Sequence, residues 1–442
     1  MRAGKIGLTL FFTALVGGLI ALSVALTDSG NQDVVVPVSS SSPEYTLSVP
    51  EKRTSGKQND LLSSQFYAIL NRYNNNQQDV MLEVMYPSEE HWYSPVDVTP
   101  KIEEELDFNW RTFLLPEERD GQFVELNSYL TEDEAWSESF REGVFAPFIY
   151  GEHCYQIPVA SNYCCVFYNT ELFERTGIDP AAIQTWEDLL AACETLKQAG
   201  ILPVSLACQS PDGVSPLYSY LVLRLGGADA VTALAERREE ATFEQDCFIR
   251  AGEMLREMAE MGYFPEDTNH LPEITARQKM ADGDAAIYFG STELVSFFHK
   301  NAAKGKIGVL PFPTVQGGAG DGGQWLGQVE TLAVRSGCAH REQAVNVLKY
   351  MTSEAVQREL IESGAGLPSV QVDYGEKKVH SELQTVERLT NQSGSSVCLQ
   401  FERQFGEKLE RYWRLTLSTM ATGLKPPQQA FHELQADYEA ME

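Results

Sequence analysis

Basic residues are scarce in this 442-residue chain: 34 Lys and Arg stand against 63 Asp and Glu, a formal net charge of -29. Phosphate neutralisation needs clustered cations, so a nucleic-acid partner is excluded. Docking on anionic lipid headgroups is disfavoured on the same ground. The acidity reads as a solubilising surface. Reactive motifs are missing as well. None of the eight cysteines (Cys154, Cys164, Cys165, Cys193, Cys208, Cys247, Cys338, Cys398) sits in a CxxC. The seven histidines (His91, His153, His270, His299, His340, His380, His432) form no HExxH and no paired metal-ligand spacing. There is no GxSxG. The glycine-rich stretch GGAGDGG (Gly317 to Gly323) lacks the Gly-Lys-Ser/Thr and helix of a phosphate-binding loop. Counting carboxylates in so acidic a chain does not decide on a glycosidase pair. The expectation is a protein that is not an enzyme and has no cofactor and no metal.

What is present begins at the N-terminus. Arg2 and Lys5 precede an uncharged run from Ile6 to Thr27, which as a helix would span about 33 Å, roughly one hydrocarbon core. Positive charge before the run and Asp28 after it place the rest of the chain outside the cell. Ser23-Val24-Ala25 offers small residues for a signal peptidase. Residues 1–27 are therefore a signal peptide or a retained anchor, and the length of the run favours the anchor. Residues 28–44, with a Ser-Ser-Ser-Ser tract, read as a flexible linker. Adjacent Cys164 and Cys165 point to opposite faces if they lie in a strand. The cysteines read as buried small hydrophobes; sequence does not give any disulfide connectivity.

The chain is too long for one compact core, so two lobes are expected. TLSVPEK reads as a strand, Asn59 to Tyr73 has helical apolar spacing (Leu62, Phe66, Ile69, Leu70, Tyr73), and Val80 to Tyr86 reads as the next strand. Strand, helix, strand implies a parallel pairing within an α/β sheet. Pro87 to Glu118 has no clear period. Cys164 to Tyr168 is a buried strand, followed by a short helix over Glu171 to Arg175 and a helix N-capped by Thr185 with Asp188 three residues on. Ile274 to Phe289 reads helix, Gly-Asp turn, strand, ending at Gly290-Ser291-Thr292. Ile307 to Pro313 is a short strand. Gln324 to Val334 is a strand, Arg341 to Met351 and Ser353 to Ser363 are helices, and Trp413 to Gly423 and Pro427 to Met441 close the chain.

The passage Tyr155 to Pro203, YQIPVASNYCCVFYNTELFERTGIDPAAIQTWEDLLAACETLKQAGILP, together with Ile274 to Ser369, resembles the extracellular solute-binding proteins of ABC importers, the carbohydrate-binding, maltose-binding-protein-like family in particular. The resemblance implies an α/β, two-lobed fold of the periplasmic-binding-protein type II, with mixed sheets flanked by helices and the ligand cleft between the lobes. It implies lobe 1 over 45–161 and 328–366 and lobe 2 over 162–327 and 367–442. It implies a monomeric receptor that hands a small polar ligand, a sugar or oligosaccharide, to ABC permease subunits. Its place would be the outer face of the bacterial membrane, anchored or released. The alternative is a membrane-tethered sensor or scaffold subunit of the same fold. Members are often tethered through a cysteine just after the apolar run; the first cysteine here is Cys154, so that lipid route is absent.

A sugar offers C–H faces to aromatic rings and hydroxyls to polar side chains. By the resemblance, the first hinge presents Asn162 and Tyr163. The second crossing presents Gln324, Trp325, Gln328 and Glu330. Trp325 follows the glycine-rich loop, so it is expected outside the core as a stacking residue. Glu330 either binds hydroxyls or pairs with a hinge arginine. Many members carry a stacking Trp where this chain has the candidate ligand contacts Ser291 and Thr292. Trp110 and Arg111 lie where lobe 1 presents a ligand loop. Tyr412 and Trp413 would add an aromatic wall, the alternative being ordinary helix packing, and Tyr218 is a further candidate.

Overall fold

The computed structural model describes residues 43–50, 61–85, 106–111, 113–114, 121–209, 211–302, 307–375, 378–392 and 395–441. The expected signal or anchor (1–27), nearly all of the linker (28–44) and most of Pro87 to Glu118 lie outside the described residues. The chain divides into two units, residues 1–42 and 43–442, and everything below concerns the second. Among the described residues no helix is long and apolar enough to cross a membrane.

The first strands are β1 (Tyr45–Pro50) and β2 (Val80–Met85), paired in parallel with Tyr45 opposite Val80. The helix Leu61–Asn76 connects them and buries Leu62, Phe66, Ile69 and Leu70 on one stripe, as their spacing of four, three and one requires. Asn74 fastens the helix end to β2: its amide donates to the Leu82 carbonyl (2.9 Å) and accepts the Leu82 N–H (2.8 Å).

The remaining strands are β3 (Phe108–Arg111), the small hairpin β4 (Ile149–Tyr150) and β5 (His153–Cys154), then β6 (Gln156–Asn169), β7 (Leu202–Val204), β8 (Ala285–Ser291), β9 (Ile307–Leu310), β10 (Gln324–Val334) and β11 (Ser396–Leu399). The large sheet runs β11-β10-β6-β8-β7, with β3 added to β10 and β9 to β6. Most of its pairs are antiparallel, but β10–β11 and β7–β8 are parallel, so the sheet is mixed.

The two longest strands, β6 and β10, tie separate cores together. They pair antiparallel from Gly327 opposite Tyr163 to Ala333 opposite Gln156, with a bulge between Glu330 and Thr331. At one end Ile157, Val159, Leu332 and Val334 pack with Leu47, Phe66 and Leu82 of the first body. At the other end the strands are covered on both faces. Cys164, Val166 and Leu326 meet the helices Trp186–Gln198, Pro211–Gly226, Asp246–Glu260, Glu407–Ala421 and Pro427–Glu439. Cys165, Phe167 and Trp325 meet Glu273–Asp282, Val295–Asn301 and Ser381–Thr390. The period of two along β6 thus sends Cys164 and Cys165 to opposite cores. A third segment crosses beside them: Ser161 and Leu367 exchange both backbone hydrogen bonds, at 2.9 and 2.8 Å.

The glycine-rich loop before β10 is held by the helix Pro211–Gly226. Arg224, buried, donates to the carbonyls of Asp321 (3.0 Å), Gln324 (2.8 Å) and Phe312 (3.2 Å). In return the loop amides of Ala319 and Gly320 donate to Leu225 and Arg224 carbonyls at 2.9 and 3.1 Å. A Cβ on Gly320 would stand 1.9 Å from the Leu223 oxygen, so only glycine allows this approach.

The capping box at Thr185 is present: Asp188 N–H donates to Thr185 Oγ1 (3.2 Å) and Thr185 N–H to Asp188 Oδ2 (2.9 Å). Several boundaries differ from expectation: the strand expected over Cys164 to Tyr168 starts at Gln156, and the one expected over Ile307 to Pro313 ends at Leu310. The helix expected from Trp413 begins at Glu407. Its first turns, EKLER, look polar, yet Leu409, Trp413 and Leu417 share a buried stripe at intervals of four. All eight cysteines are reduced and buried.

Candidate functional site

Where β6 and β10 pass between the two bodies, Asn162 lies opposite Gln328, and Glu330 follows two residues on, so all three share one face of the sheet. The Gln328 amide donates to the Glu330 carboxylate. The Gln328 oxygen accepts a long bond, 3.5 Å, from Arg403 Nη2. Arg403 belongs to the turn Phe401–Arg403 that follows β11. Just before it, Gln400 is fixed by its N–H to the Gly327 carbonyl (2.8 Å) and by its amide to Cys164 Sγ (3.3 Å). Side chains from the crossing strands and from the second body therefore converge on one polar face, in which Asn162 (6% exposed) and Glu330 (1%) are buried and Gln328 and Arg403 are partly exposed. Hydrogen-bond donors and acceptors in such a setting suit a hydroxylated ligand.

The first body reaches the same junction through residues that the sequence did not single out. The Leu114 N–H donates to the Tyr150 oxygen (3.0 Å), the Tyr150 hydroxyl to Gln156 Oε1 (2.8 Å), and Gln156 Nε2 to Thr331 Oγ1 (2.7 Å). Phe113 stands edge-on to Tyr150 with ring centroids 5.9 Å apart. It packs both against the large core of the second body and against Phe148, Val329 and Leu399. No local motif marks Phe113, Tyr150, Gln400 or Arg403; only the pairing of β3 and β11 to the same edge of β10 brings them together.

Several of the expected residues sit elsewhere than the cleft. Trp325 is 5% exposed, edge-on to Tyr163 at 6.3 Å, inside a core. This corrects the expectation that the preceding glycine-rich loop keeps it out: the loop is docked on Arg224 and delivers Trp325 straight into β10. Trp413 is fully buried among Tyr218, Phe243, Phe248, Phe401 and Phe405, which makes it core and not a cleft wall. Tyr218 is equally buried, its hydroxyl donating to the Phe248 carbonyl (2.8 Å). Trp110 is half-buried, its ring 4.7 Å from Phe66 and its N–H on the Pro50 carbonyl (2.9 Å). Arg111 ends β3 opposite Thr331. Tyr412 is half-buried under the Arg411 guanidinium. Gln324 opens β10, away from the crossing.

Ser291 ends β8, and its hydroxyl caps the turn Thr292–Leu294. Thr292 is fully buried; its hydroxyl donates to Asn162 Oδ1 (2.8 Å) and accepts the Tyr163 N–H (3.1 Å). A small, fully buried hydroxyl residue thus stands beside Asn162.

Next to Arg403, the buried Glu402 accepts the Ser215 hydroxyl on both oxygens, at 2.9 and 3.1 Å. Burial raises its pKa above the ordinary carboxylate value. Among the described residues no three His, Cys, Asp or Glu side chains cluster as metal ligands. A small cavity of about 10 Å³, room for about one water, lies under Tyr163 and Trp325 against Arg141. An open groove of about 460 Å³ runs between Asp229 and Thr232 and the glycine-rich loop.

The family model for bacterial extracellular solute-binding proteins matches residues 105–358, more than half of the chain. The chain belongs to that family. Among relatives of these solute-binding proteins, an uncharacterised ABC transporter extracellular-binding protein of Pyrococcus horikoshii is 26% identical over 114 residues, 25% of this chain and 26% of the relative. The xylose/arabinose-binding protein XacG of Haloferax volcanii is 23% identical over 242 residues, 54% of this chain and 50% of that one. The matches thus span half or less of these relatives' lengths. A solved chitin oligosaccharide binding protein superposes with a TM-score of 0.71 at 19% identity, covering 89% of this chain and 98% of that one. The fold of this solute-binding protein is accordingly the two-lobed type II arrangement, and β6 and β10 are strands that cross between its two cores.

Proposed function

We propose that this solute-binding protein is a receptor that closes its lobes around a saccharide and presents it to the permease of an ABC importer. The reading rests on one observation above all: Asn162, Gln328 and Glu330 share a polar face at the crossing, with Arg403 of the second body reaching it. Contacts made from both sides of a hinge give a ligand more affinity for the closed state than for the open one, which is what shifts such an equilibrium. The sugars named for XacG and for the chitin oligosaccharide binding protein support the ligand class. In this reading lobe 1 comprises 45–161 and 328–366, and lobe 2 comprises 162–327 and 367–442. The protein works as a monomer on the outer face of the membrane, carried there by residues 1–27, and it performs no chemistry on its ligand. Gln328 and Arg403 supply hydrogen bonds from partly exposed side chains, and the buried Asn162 and Glu330 line the same face.

Thermal unfolding against a panel of mono- and oligosaccharides tests this. A ligand at a hundred times its Kd adds about 2.7 kcal/mol to the native state and raises the midpoint. A flat response to every saccharide, with a shift from amino acids or polyamines instead, would remove the sugar assignment.

A further inference from the structure

Arg403 reaches Gln328 from a three-residue turn whose other two members, Phe401 and Glu402, are buried in the second body. The flanks of the turn lie on the sheet. Gln400 donates its N–H to the Gly327 carbonyl (2.8 Å), and Gln404 donates its amide to the Leu399 carbonyl (2.9 Å) while accepting the Thr232 hydroxyl (3.1 Å). Glu402 fastens the turn to the helix Pro211–Gly226, where Ser215 Oγ stands 2.9 and 3.1 Å from the two carboxyl oxygens and 3.4 Å from Ser219 Oγ. A serine hydroxyl has one proton to give, so it cannot serve both oxygens and Ser219 at once. A neutral acid completes the set: Glu402 donates to Ser215 Oγ, and Ser215 donates on to Ser219. Among the described residues, the charged and titratable groups facing Glu402 come from every element around it. Arg403 in its own turn and Arg414 of the helix Glu407–Ala421 favour the carboxylate. Arg414, however, is already shared by Asp212 of the helix Pro211–Gly226 and by Glu410, the latter at 2.9 Å. Cys164 of β6 is a buried, protonated thiol. Burial outweighs the two guanidinium groups and raises the Glu402 pKa.

We propose that Glu402 is the positioning residue of Arg403: held on Ser215 as a neutral acid, it fixes the turn that aims the guanidinium at Gln328, and its ionisation releases that turn and weakens ligand capture. The inference rests on the receptor reading above, in which Arg403 serves the ligand. The sense of the pH dependence follows from the raised folded-state value. The contribution is complete below the ordinary carboxylate value of about 4.3 and is lost as pH rises through the folded one.

Two measurements on the full chain need no ligand. Infrared difference spectra at about pH 5, above the ordinary carboxylate value, should show a protonated-carboxyl C=O band that Glu402→Gln lacks. The NMR resonance of the Arg403 side-chain N–H should be displaced in Glu402→Leu and restored in Glu402→Gln. Calorimetry with xylose, arabinose and chitobiose at the same pH then reads the function. Glu402→Leu should lose about tenfold in affinity for whichever sugar binds best, and Glu402→Gln should recover that loss. In an Arg403→Ala background the Glu402→Leu loss should vanish, because the two side chains act as one unit. As pH rises, affinity of the unmodified protein should fall together with the infrared band, while that of Glu402→Gln should not. Ser215→Ala, which strips the partner from Glu402, serves if the leucine variant does not fold. A missing band at pH 5 overturns the proposal, because Glu402 is then ionised. So does an equal Glu402→Leu loss with and without Arg403, which is the mark of a merely structural role. An unmodified protein that binds none of these sugars but another solute removes the sugar reading, and the infrared band and the Arg403 resonance still decide whether Glu402 holds the turn.

Discussion

Thr292 donates its hydroxyl to Asn162 Oδ1 at 2.8 Å while accepting the Tyr163 N–H at 3.1 Å, so the end of β8 sets the orientation of a hinge side chain in β6. One buried hydroxyl thus serves both the backbone and the side chain at the point where the two bodies meet.

Replacing it by an isostere without the hydroxyl, Thr292→Val, leaves a buried N–H without its acceptor and Asn162 without a donor. The cost should be about 1–3 kcal/mol in urea unfolding, with weaker ligand binding because Asn162 loses its fixed rotamer. Retained stability and affinity would show that Asn162 is oriented by other contacts.

Trp413 offers a contrast. Its ring is surrounded by aromatic side chains, and its indole N–H finds no partner among the described residues. Trp413→Ala should cost about 3–5 kcal/mol, whereas Trp413→Phe should cost distinctly less, since it removes an unsatisfied polar group along with volume. Saccharide affinity of the folded variants should be unchanged. A large affinity loss in Trp413→Phe at unaltered stability would return this residue to the binding wall.

Arg141 is buried and donates to the Pro368 and Glu387 carbonyls (3.1 and 3.3 Å), to Thr390 Oγ1 (2.8 Å) and to Asn391 Oδ1 (2.5 Å). It thereby sits on the C-terminal end of the helix Ser381–Thr390, where a cation is favoured. Arg141→Ala should destabilise the protein by about 2–4 kcal/mol, and Arg141→Lys should recover less than half, because an ammonium cannot reproduce the planar fork. Equal stability of the lysine variant and the unmodified protein would refute the fork argument.

The imidazoles of His299 and His380 stack with centroids 3.9 Å apart, and His299 Nε2 meets Glu382 Oε2 at 2.9 Å. Burial first, then the neighbouring His299, lower the pKa of His380. A lowered folded-state pKa means that the unfolded chain binds the proton more readily. This contribution is therefore complete above about pH 6.5, the ordinary imidazole value, and is lost as pH falls through the lower folded value. The exposed His153 and His432, raised by Glu125 and Glu244, act in the opposite sense and lose their contribution as pH rises. Proton NMR titration should find His380 below and His153 and His432 above the unfolded value. Replacing His380 by Gln should flatten the acid limb of a stability–pH profile. A His380 that titrates at or above the unfolded value would contradict the geometry.

Much of the crossing was legible because its signals are local. The alternation of Cys164 and Cys165, the strand Gln324–Val334 and the Thr185 capping box follow from period and cap chemistry within a few residues. The site was less legible. Trp325 and Trp413 carry the side chain a sugar pocket needs, but what decides between cleft and core is which helices cover each sheet face, a property of pairings far apart in sequence. Phe113 and Arg403 stand at the junction only because β3 and β11 flank the same edge of β10. No spacing in the chain encodes that meeting.

The eight buried thiols have a chemical consequence. Burial pushes Cys154 and Cys208 up to about 11 and Cys164 and Cys193 up to about 12, so at neutral pH virtually none is present as the reactive anion. An alkylating reagent added to the folded protein should idle until the polypeptide opens. Its uptake then becomes a clock for native-state breathing, built into the wild-type chain without any engineered probe.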